Sequence, residues 1–251
     1  MGLWKLSMIG NGSGLSRSMA KTSWYMIQGK TMYIFDFPYS NIPFFVSSKA
    51  KKILESVDKI RIFLTHMHED HIGGIVNFGF LNKFTLKKDL KVFVPTALAI
   101  KMMNYVMLLG GEPEEIGLQG GDVYQDDDVQ IFPRAVAHVG NLDCFAYVVY
   151  GNNVDGISSF ISPTGNNWSI YYSGDNATFM DEATLATFIE DADNKMVYHD
   201  MTYNIENIVH CYYQRAVKAL KKSQRKNVVP IHLDNESDKD KLGKLGFNTD
   251  F

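Results

Sequence analysis

Ile60-Arg61-Ile62-Phe63-Leu64-Thr65-His66-Met67-His68-Glu69-Asp70-His71-Ile72-Gly73-Gly74 runs from an apolar strand directly into a loop. That loop places three of the chain's seven histidines and Asp70 within six positions. Neutral imidazole and carboxylate are ligands that divalent zinc, manganese or iron accept, and a loop after a strand lets closely spaced side chains converge without helical geometry. The helical zinc-protease pattern is excluded, because only two residues separate His68 from His71 where that motif needs three.

The surrounding chain bounds the possibilities. Its 251 residues suit one α/β domain spanning 1–251, and 45% hydrophobic with 21% charged residues is ordinary for a globular protein. Cys144 and Cys211 form no Cys-x-x-Cys pair and stand apart from the histidines, so neither a disulfide framework nor a cysteine zinc site is expected, and a reducing cytoplasm fits. The opening Met1-Gly2-Leu3-Trp4-Lys5-Leu6-Ser7-Met8-Ile9 is too short and polar for a signal peptide and reads as a strand. No apolar run approaches the roughly 20 residues that span a bilayer. A net charge of −3 argues against a surface built to bind long nucleic acid. Lys218, Lys221, Lys222, Arg225 and Lys226 read as charge at the end of a helix.

Periodicity predicts strands at Trp4 to Ile9, Ser23 to Gln28 and Thr31 to Phe35, the last two joined at Gly29-Lys30. It then predicts a helix at Ser47 to Ser56, the strand before the histidine loop, a short helix from about Gly74, a strand at Lys91 to Val94 and a helix at Ala97 to Leu109. The second half repeats this order, with strands at Val129 to Ala137, Phe145 to Tyr150 and Ser169 to Ser173, and a helix near Asp181 to Ile189. A strand at Lys195 to His199 follows, then a long helix from Ile205 to about Lys222 containing His210, a strand at Asn227 to Ile231 and a last helix at Asp238 to Leu245. Asn152 to Asn167 reads as a loop or hairpin tip. Two β-then-α halves suggest a four-layer αββα sandwich.

Polar residues recur where these strands end. Asp36 follows Tyr33-Ile34-Phe35, His138 follows Ala135-Val136-Ala137, and Asp175 follows Tyr172-Ser173-Gly174. His199-Asp200 follows Met196-Val197-Tyr198, and His232 follows Val229-Pro230-Ile231. Alone, each reads as a hydrogen-bonded strand end; beside a dense histidine loop they read as one constellation.

That set resembles the metallo-β-lactamase superfamily, whose His-x-His-x-Asp-His signature is matched by His66, His68, Asp70 and His71. The resemblance implies the αββα fold and two divalent metal ions, zinc first and manganese as the alternative. By it, His66, His68 and His138 hold one ion, Asp70, His71 and His232 hold the second, Asp175 bridges, and Asp36 orients a ligand histidine from behind. A water bridging two such cations becomes hydroxide near neutral pH, so hydrolysis is the expected reaction, with Asp70 part of the catalytic centre.

Within the superfamily the chain resembles ribonuclease Z-like phosphodiesterases. Met8-Ile9-Gly10-Asn11-Gly12-Ser13-Gly14-Leu15 is similar to their glycine-rich opening, and His199-Asp200-Met201-Thr202 to their His-Glu-Ala-Thr segment. On that resemblance His199, held by Asp200, is expected to protonate the leaving alkoxide or hold the phosphate, while His210 is a surface or packing residue of its helix. The tRNA-clamping arm has no room in the 37 positions between His138 and Asp175. A small phosphodiester is therefore expected, and phage anti-Pycsar phosphodiesterases, which destroy 3′,5′-cyclic nucleotide immune signals including cyclic CMP and cyclic UMP, resemble the chain best. The resemblance implies a homodimer in the cytoplasm, host cytoplasm if phage-encoded. Tyr39, Phe44, Phe45 and Tyr203 are candidates to stack a base. A ribonuclease Z-type tRNA 3′-processing endonuclease and a non-catalytic nucleotide-binding protein are the alternatives.

Overall fold

The computed structural model describes residues 5–151, 168–190 and 194–251. The expected tip at Asn152 to Asn167 and the first residues of the expected opening strand lie outside them.

One sheet is built in sequence order from β1 (Ser7–Gly10), β2 (Ser23–Gln28), β3 (Thr31–Phe35), β4 (Lys59–Phe63), β5 (Asp89–Val94) and β6 (Leu118–Gly120). Its first three strands form an antiparallel meander, and β3 to β6 run parallel. The second sheet comprises β7 (Tyr124–Gln125), β8 (Val129–Val136), β9 (Cys144–Gly151), β10 (Ser169–Tyr172), β11 (Lys195–Asp200) and β12 (Val228–Ile231). There β7 to β10 are antiparallel and β10 to β12 parallel. Parallel neighbours need crossovers, and these supply the helices.

Helices α1 (Ile42–Phe45), α2 (Ser48–Glu55), α3 (Glu69–Ile72), α4 (Ile75–Leu81) and α5 (Ala99–Leu108) belong to the first half. The second half carries α6 (Glu182–Leu185), α7 (Tyr213–Ala219) and α8 (Glu236–Lys244). Ser47 caps α2, its hydroxyl accepting from the Ala50 amide at 3.2 Å, and the Asp181 carboxylate caps α6.

Strand parity sorts the core into three layers. Tyr33, Phe35, Phe63 and Phe93 meet Tyr147, Ile170, Tyr172 and Tyr198 between the sheets. Met32, Ile34, Ile60, Ile62 and Val92 face the helices of the first half, while Val148, Tyr171, Val197 and Val228 face those of the second. Strands buried on both faces read as continuous apolar runs. The result is the expected αββα sandwich.

One expected element fails. The helix over Ile205 to Lys222 begins only at Tyr213, and 203–212 is a looped excursion closed by Thr202 amide to Cys211 carbonyl and Tyr213 amide to Thr202 carbonyl. Asn204 accounts for this: its carboxamide oxygen accepts from the Glu206 amide and its carbonyl from the Asn207 amide, a local alternative to helix. Arg225 in the basic cluster is structural, its guanidinium donating to the carbonyls of Val217, Leu220 and Leu245.

Candidate metal centre

Every strand end singled out by sequence, His199 excepted, points into one basin at the rim where the two sheets meet. Two of the residues there hold left-handed backbones that are uncommon outside glycine, Asp36 at φ 60° and His232 at φ 58°. Such strain persists where surrounding structure over-determines it.

Two sets of ligand-type atoms converge on Asp175. In the first set His66 Nε2 lies 3.0 Å from His68 Nδ1, and His138 Nε2 lies 3.3 Å from that same nitrogen. Asp175 Oδ2 stands 3.7 Å from His66 Nε2 and 3.6 Å from His138 Nε2. In the second set Asp175 Oδ1 is 3.1 Å from His71 Nε2 and 3.4 Å from His232 Nε2. Asp70 Oδ2 completes it at 3.6 Å and 3.3 Å from the same two nitrogens. Four ligands about 2.05 Å from one ion at tetrahedral angles lie roughly 3.3 Å apart, so both sets have the dimensions of a divalent site. His71 Nε2 and Asp175 Oδ1 are buried and hydrogen-bond to no described residue, as groups facing a cation do.

The shell behind fixes which nitrogens face inward. The Asp36 carboxylate, fully buried, accepts from His71 Nδ1 at 2.8 Å, from the Thr65 amide at 2.8 Å and from the hydroxyls of Thr65 and Tyr172. His66 Nδ1 is 2.9 Å from Thr65 Oγ1, and His138 Nδ1 donates to the Val209 carbonyl at 2.7 Å. Each contact puts the proton on Nδ1 and frees the Nε2 lone pair for the basin.

Electrostatics point the same way. Burial pushes His66, His68 and His138 below the usual histidine range, His66 further through the neighbouring His71. Burial opposes it, but Asp175 and Asp36 lift His71 well above that range. Asp70 and Asp175 are held well below the usual carboxylate range, against their burial, by His232 and His71. Anionic carboxylates packed among mostly neutral imidazoles leave a deficit of positive charge that a cation would fill.

Asp200 and His210 flank the second set. His210 Nδ1 donates to Asp200 Oδ2 at 2.7 Å, and its ring stacks on His232 with centroids 4.7 Å apart. Asp200, opposing the burial of that ring, pushes His210 up to about 9. The Asp200 carboxylate is oriented by the Asn176 amide at 3.0 Å.

His199 is elsewhere, which corrects the expectation that it acts on the phosphate. Parity along β11 sends Val197, His199 and Met201 to the outer helical layer, opposite to Asp200. Its ring packs 4.8 Å from that of Phe179, its Nδ1 donates to the Asp200 carbonyl at 2.9 Å, and burial holds it neutral. His210, read from sequence as a packing residue, is instead the histidine that lies against Asp200, His232 and Asp175. Two features could have signalled it: the turn-forming Asn204 and Asn207, and the odd strand parity of His199 relative to Asp200. Phe45 is core against Phe37 and Phe78, and Tyr203 stacks on Tyr213.

Comparison with known proteins agrees with this geometry. The family model described as anti-Pycsar protein Apyc1 matches residues 4–250. The anti-Pycsar protein Apyc1 of Paenibacillus xerothermodurans is 28% identical over 189 residues, covering 74% of this chain and 72% of that protein. Among solved structures, the metallo-β-lactamase fold protein YhfI from Bacillus subtilis superposes with a TM-score of 0.67 at 15% identity, covering 96% of this chain and 90% of that one. The short form of human tRNase Z gives 0.63 at 15% identity, with 91% and 92% covered. Both likenesses establish the shared fold.

Proposed function

The chain belongs to the anti-Pycsar Apyc1 family and carries the donor set of a metal-dependent phosphodiesterase, and from that premise we propose that it hydrolyses 3′,5′-cyclic nucleotides, cyclic CMP and cyclic UMP included, to linear monophosphates. Such an activity would disarm cyclic-nucleotide immune signalling. The observation that carries the reading is the convergence of His66, His68, His138, Asp70, His71 and His232 on Asp175, with His210, held by Asp200, adjoining Asp175 and His232.

His66, His68, His138 and Asp175 would hold one divalent ion, and Asp70, His71, His232 and Asp175 the other. Zinc suits these nitrogen-rich sets, with manganese the alternative. Two bound cations would lower the pKa of the attacking water and neutralise charge developing on the phosphoryl oxygens. The chain supplies the remainder. Asp36 and Thr65 lock His71 and His66 in the tautomers that turn Nε2 inward. Cleaving a cyclic diester expels a ribose alkoxide, a poor leaving group. His210, lifted by Asp200 in the metal-free protein, lies beside the centre with Nδ1 held by Asp200 and 3.9 Å from Asp175 Oδ2, which leaves Nε2 as the nitrogen that would deliver a proton to the leaving oxygen.

Retention of all seven expected ligands supports an enzyme over a non-catalytic binding protein. A small substrate is supported by the net charge of −3 and by the short interval between His138 and Asp175. A homodimer is part of the proposal: Ile100, Met103 and Met107 recur at helical spacing on α5 and lie exposed, a surface suited to a second copy. Among the described residues no helix is long and apolar enough to cross a membrane, and a cytoplasmic site of action remains part of the same reading.

The test incubates purified protein with cyclic CMP, cyclic UMP, cyclic AMP and a precursor tRNA, with and without chelator, and follows products by chromatography. Chelator-sensitive conversion of the cyclic nucleotides is expected. Cleavage of the tRNA with intact cyclic nucleotides would overturn the reading in favour of a ribonuclease Z-type activity.

A further inference from the structure

The glycine-rich segment after β1 is tied to the rest of the chain by hydrogen bonds along its length. Gly12 donates to the Ala20 carbonyl at 2.8 Å and accepts from Thr22, Ser13 donates to the Leu233 carbonyl at 2.9 Å, and Leu233 donates back to Asn11. Ser16 closes a turn onto the Ser13 carbonyl at 3.0 Å. Beneath the turn the Lys21 ammonium donates to the carbonyls of Ser13 and Ser16 at 3.0 and 2.6 Å. The glycines permit this closeness: a Cβ on Gly10 would lie 2.3 Å from the Lys21 carbonyl oxygen.

This turn leans on the second ligand set. Leu233, to which it is stitched, follows His232 in sequence, and a Cβ on Gly14 would lie 2.7 Å from Asp70 Oδ2. Leu15, one residue beyond Gly14, is 93% exposed. The amides of Gly14 and Leu15 donate to no described residue, and the buried hydroxyls of Ser13 and Ser16 have no partner among the described residues. A loop braced at both ends and from below therefore presents the apolar Leu15 side chain and the unpaired Gly14 and Leu15 amides beside the Asp70 ligand cluster.

We propose that the Ser13–Ser16 turn is the nucleoside-recognising wall of the centre, with Leu15 covering the sugar and base while the Gly14 and Leu15 amides face the phosphate. The inference rests on the phosphodiesterase reading above and adds a specificity element to it. Rigid apolar surface at the mouth of a polar basin suits a ligand with one ionic end and one flat, weakly polar end, because the loop pays no ordering entropy when that ligand arrives.

The probes are a nucleoside 5′-monophosphate and inorganic phosphate, titrated calorimetrically into the metal-loaded protein and its Leu15→Ala variant. Removing three carbons from a contact that the base covers on one side, about half the side chain, is expected to weaken the nucleotide about five- to tenfold and inorganic phosphate less than twofold. The KM for whichever cyclic nucleotide is turned over should rise in parallel with kcat within twofold. Equal loss for both probes, or no loss for either, overturns the proposal. So does a change of oligomeric state without selective loss, which would make Leu15 a contact between copies. If no cyclic nucleotide is hydrolysed, the phosphodiesterase reading fails on its own account while the calorimetric comparison still decides the role of the turn.

Discussion

His210→Ala should separate proton donation from metal chemistry. The ring makes a 2.7 Å bond to Asp200 and also clusters with Asp175, Asp200 and His232 as ligand-type groups, so metal content is the readout that separates a proton donor from a ligand. A positioned general acid contributes about 10²- to 10⁴-fold, or roughly 3–5 kcal/mol of barrier, when the leaving group is an alkoxide. It contributes almost nothing when the leaving group is a stable phenolate. The variant should therefore lose about 10²-fold or more in kcat on cyclic CMP yet stay within about threefold on bis(p-nitrophenyl) phosphate, with metal content unchanged. Asp200→Asn gives a graded version. Without the carboxylate that raises it, His210 falls back towards the ordinary histidine range, so a smaller fraction of the ring is protonated at neutral pH and turnover on cyclic CMP should drop by less than in His210→Ala. Steady-state kinetics on the two substrates, with metal analysis of each variant, read the result. Equal losses on both substrates, or none on cyclic CMP, would refute the role given to His210.

His199→Phe is the counterpart: the ring already packs against Phe179 in an apolar layer, so turnover should stay within about threefold and stability within about 1.5 kcal/mol, measured by denaturant unfolding. Asp36→Asn removes the anion that holds His71 and should weaken metal binding about 10- to 100-fold in a chelator competition; undiminished affinity would show that His71 is oriented otherwise. Metal removal should lower the melting temperature, because an ion bound only by the native state and present at 1,000 times its Kd stabilises by about 4 kcal/mol. In the metal-free protein, His210 has a folded pKa raised to about 9, so its stabilisation is complete below about pH 6.5 and is lost as pH rises through 9. Melting temperature against pH should show that loss in the native sequence and not in Asp200→Asn.

The candidate ligands were legible as a cluster because their chemistry is local in two senses. His66, His68, Asp70 and His71 crowd one loop, and His138, Asp175 and His232 each follow an apolar run whose strand character is plain. Strands that run in the same direction in a sheet present their C-terminal ends at one rim, so residues far apart in sequence could be placed together without coordinates. The layered sandwich followed from the same alternation of strand and helix. Less legible were the edge strands β6 and β7, two or three residues each, which carry too little periodicity to detect.

What the sequence by itself determined is the donor inventory and the fold that gathers it, since ligand chemistry and strand periodicity are properties of short segments. Only the tertiary structure decided which histidine lies beside the ligand cluster. His199 lies next to Asp200 in the chain, but a pleated strand turns adjacent side chains to opposite faces, and His199 is spent in the outer core. His210 lies ten positions beyond Asp200, at the end of a loop whose return depends on hydrogen bonds from Thr202 to Cys211 and from Tyr213 to Thr202. Asn204 breaks the helix locally, but where the loop then sets His210, like the seating of Gly14 against Asp70, is decided by packing against residues distant in sequence.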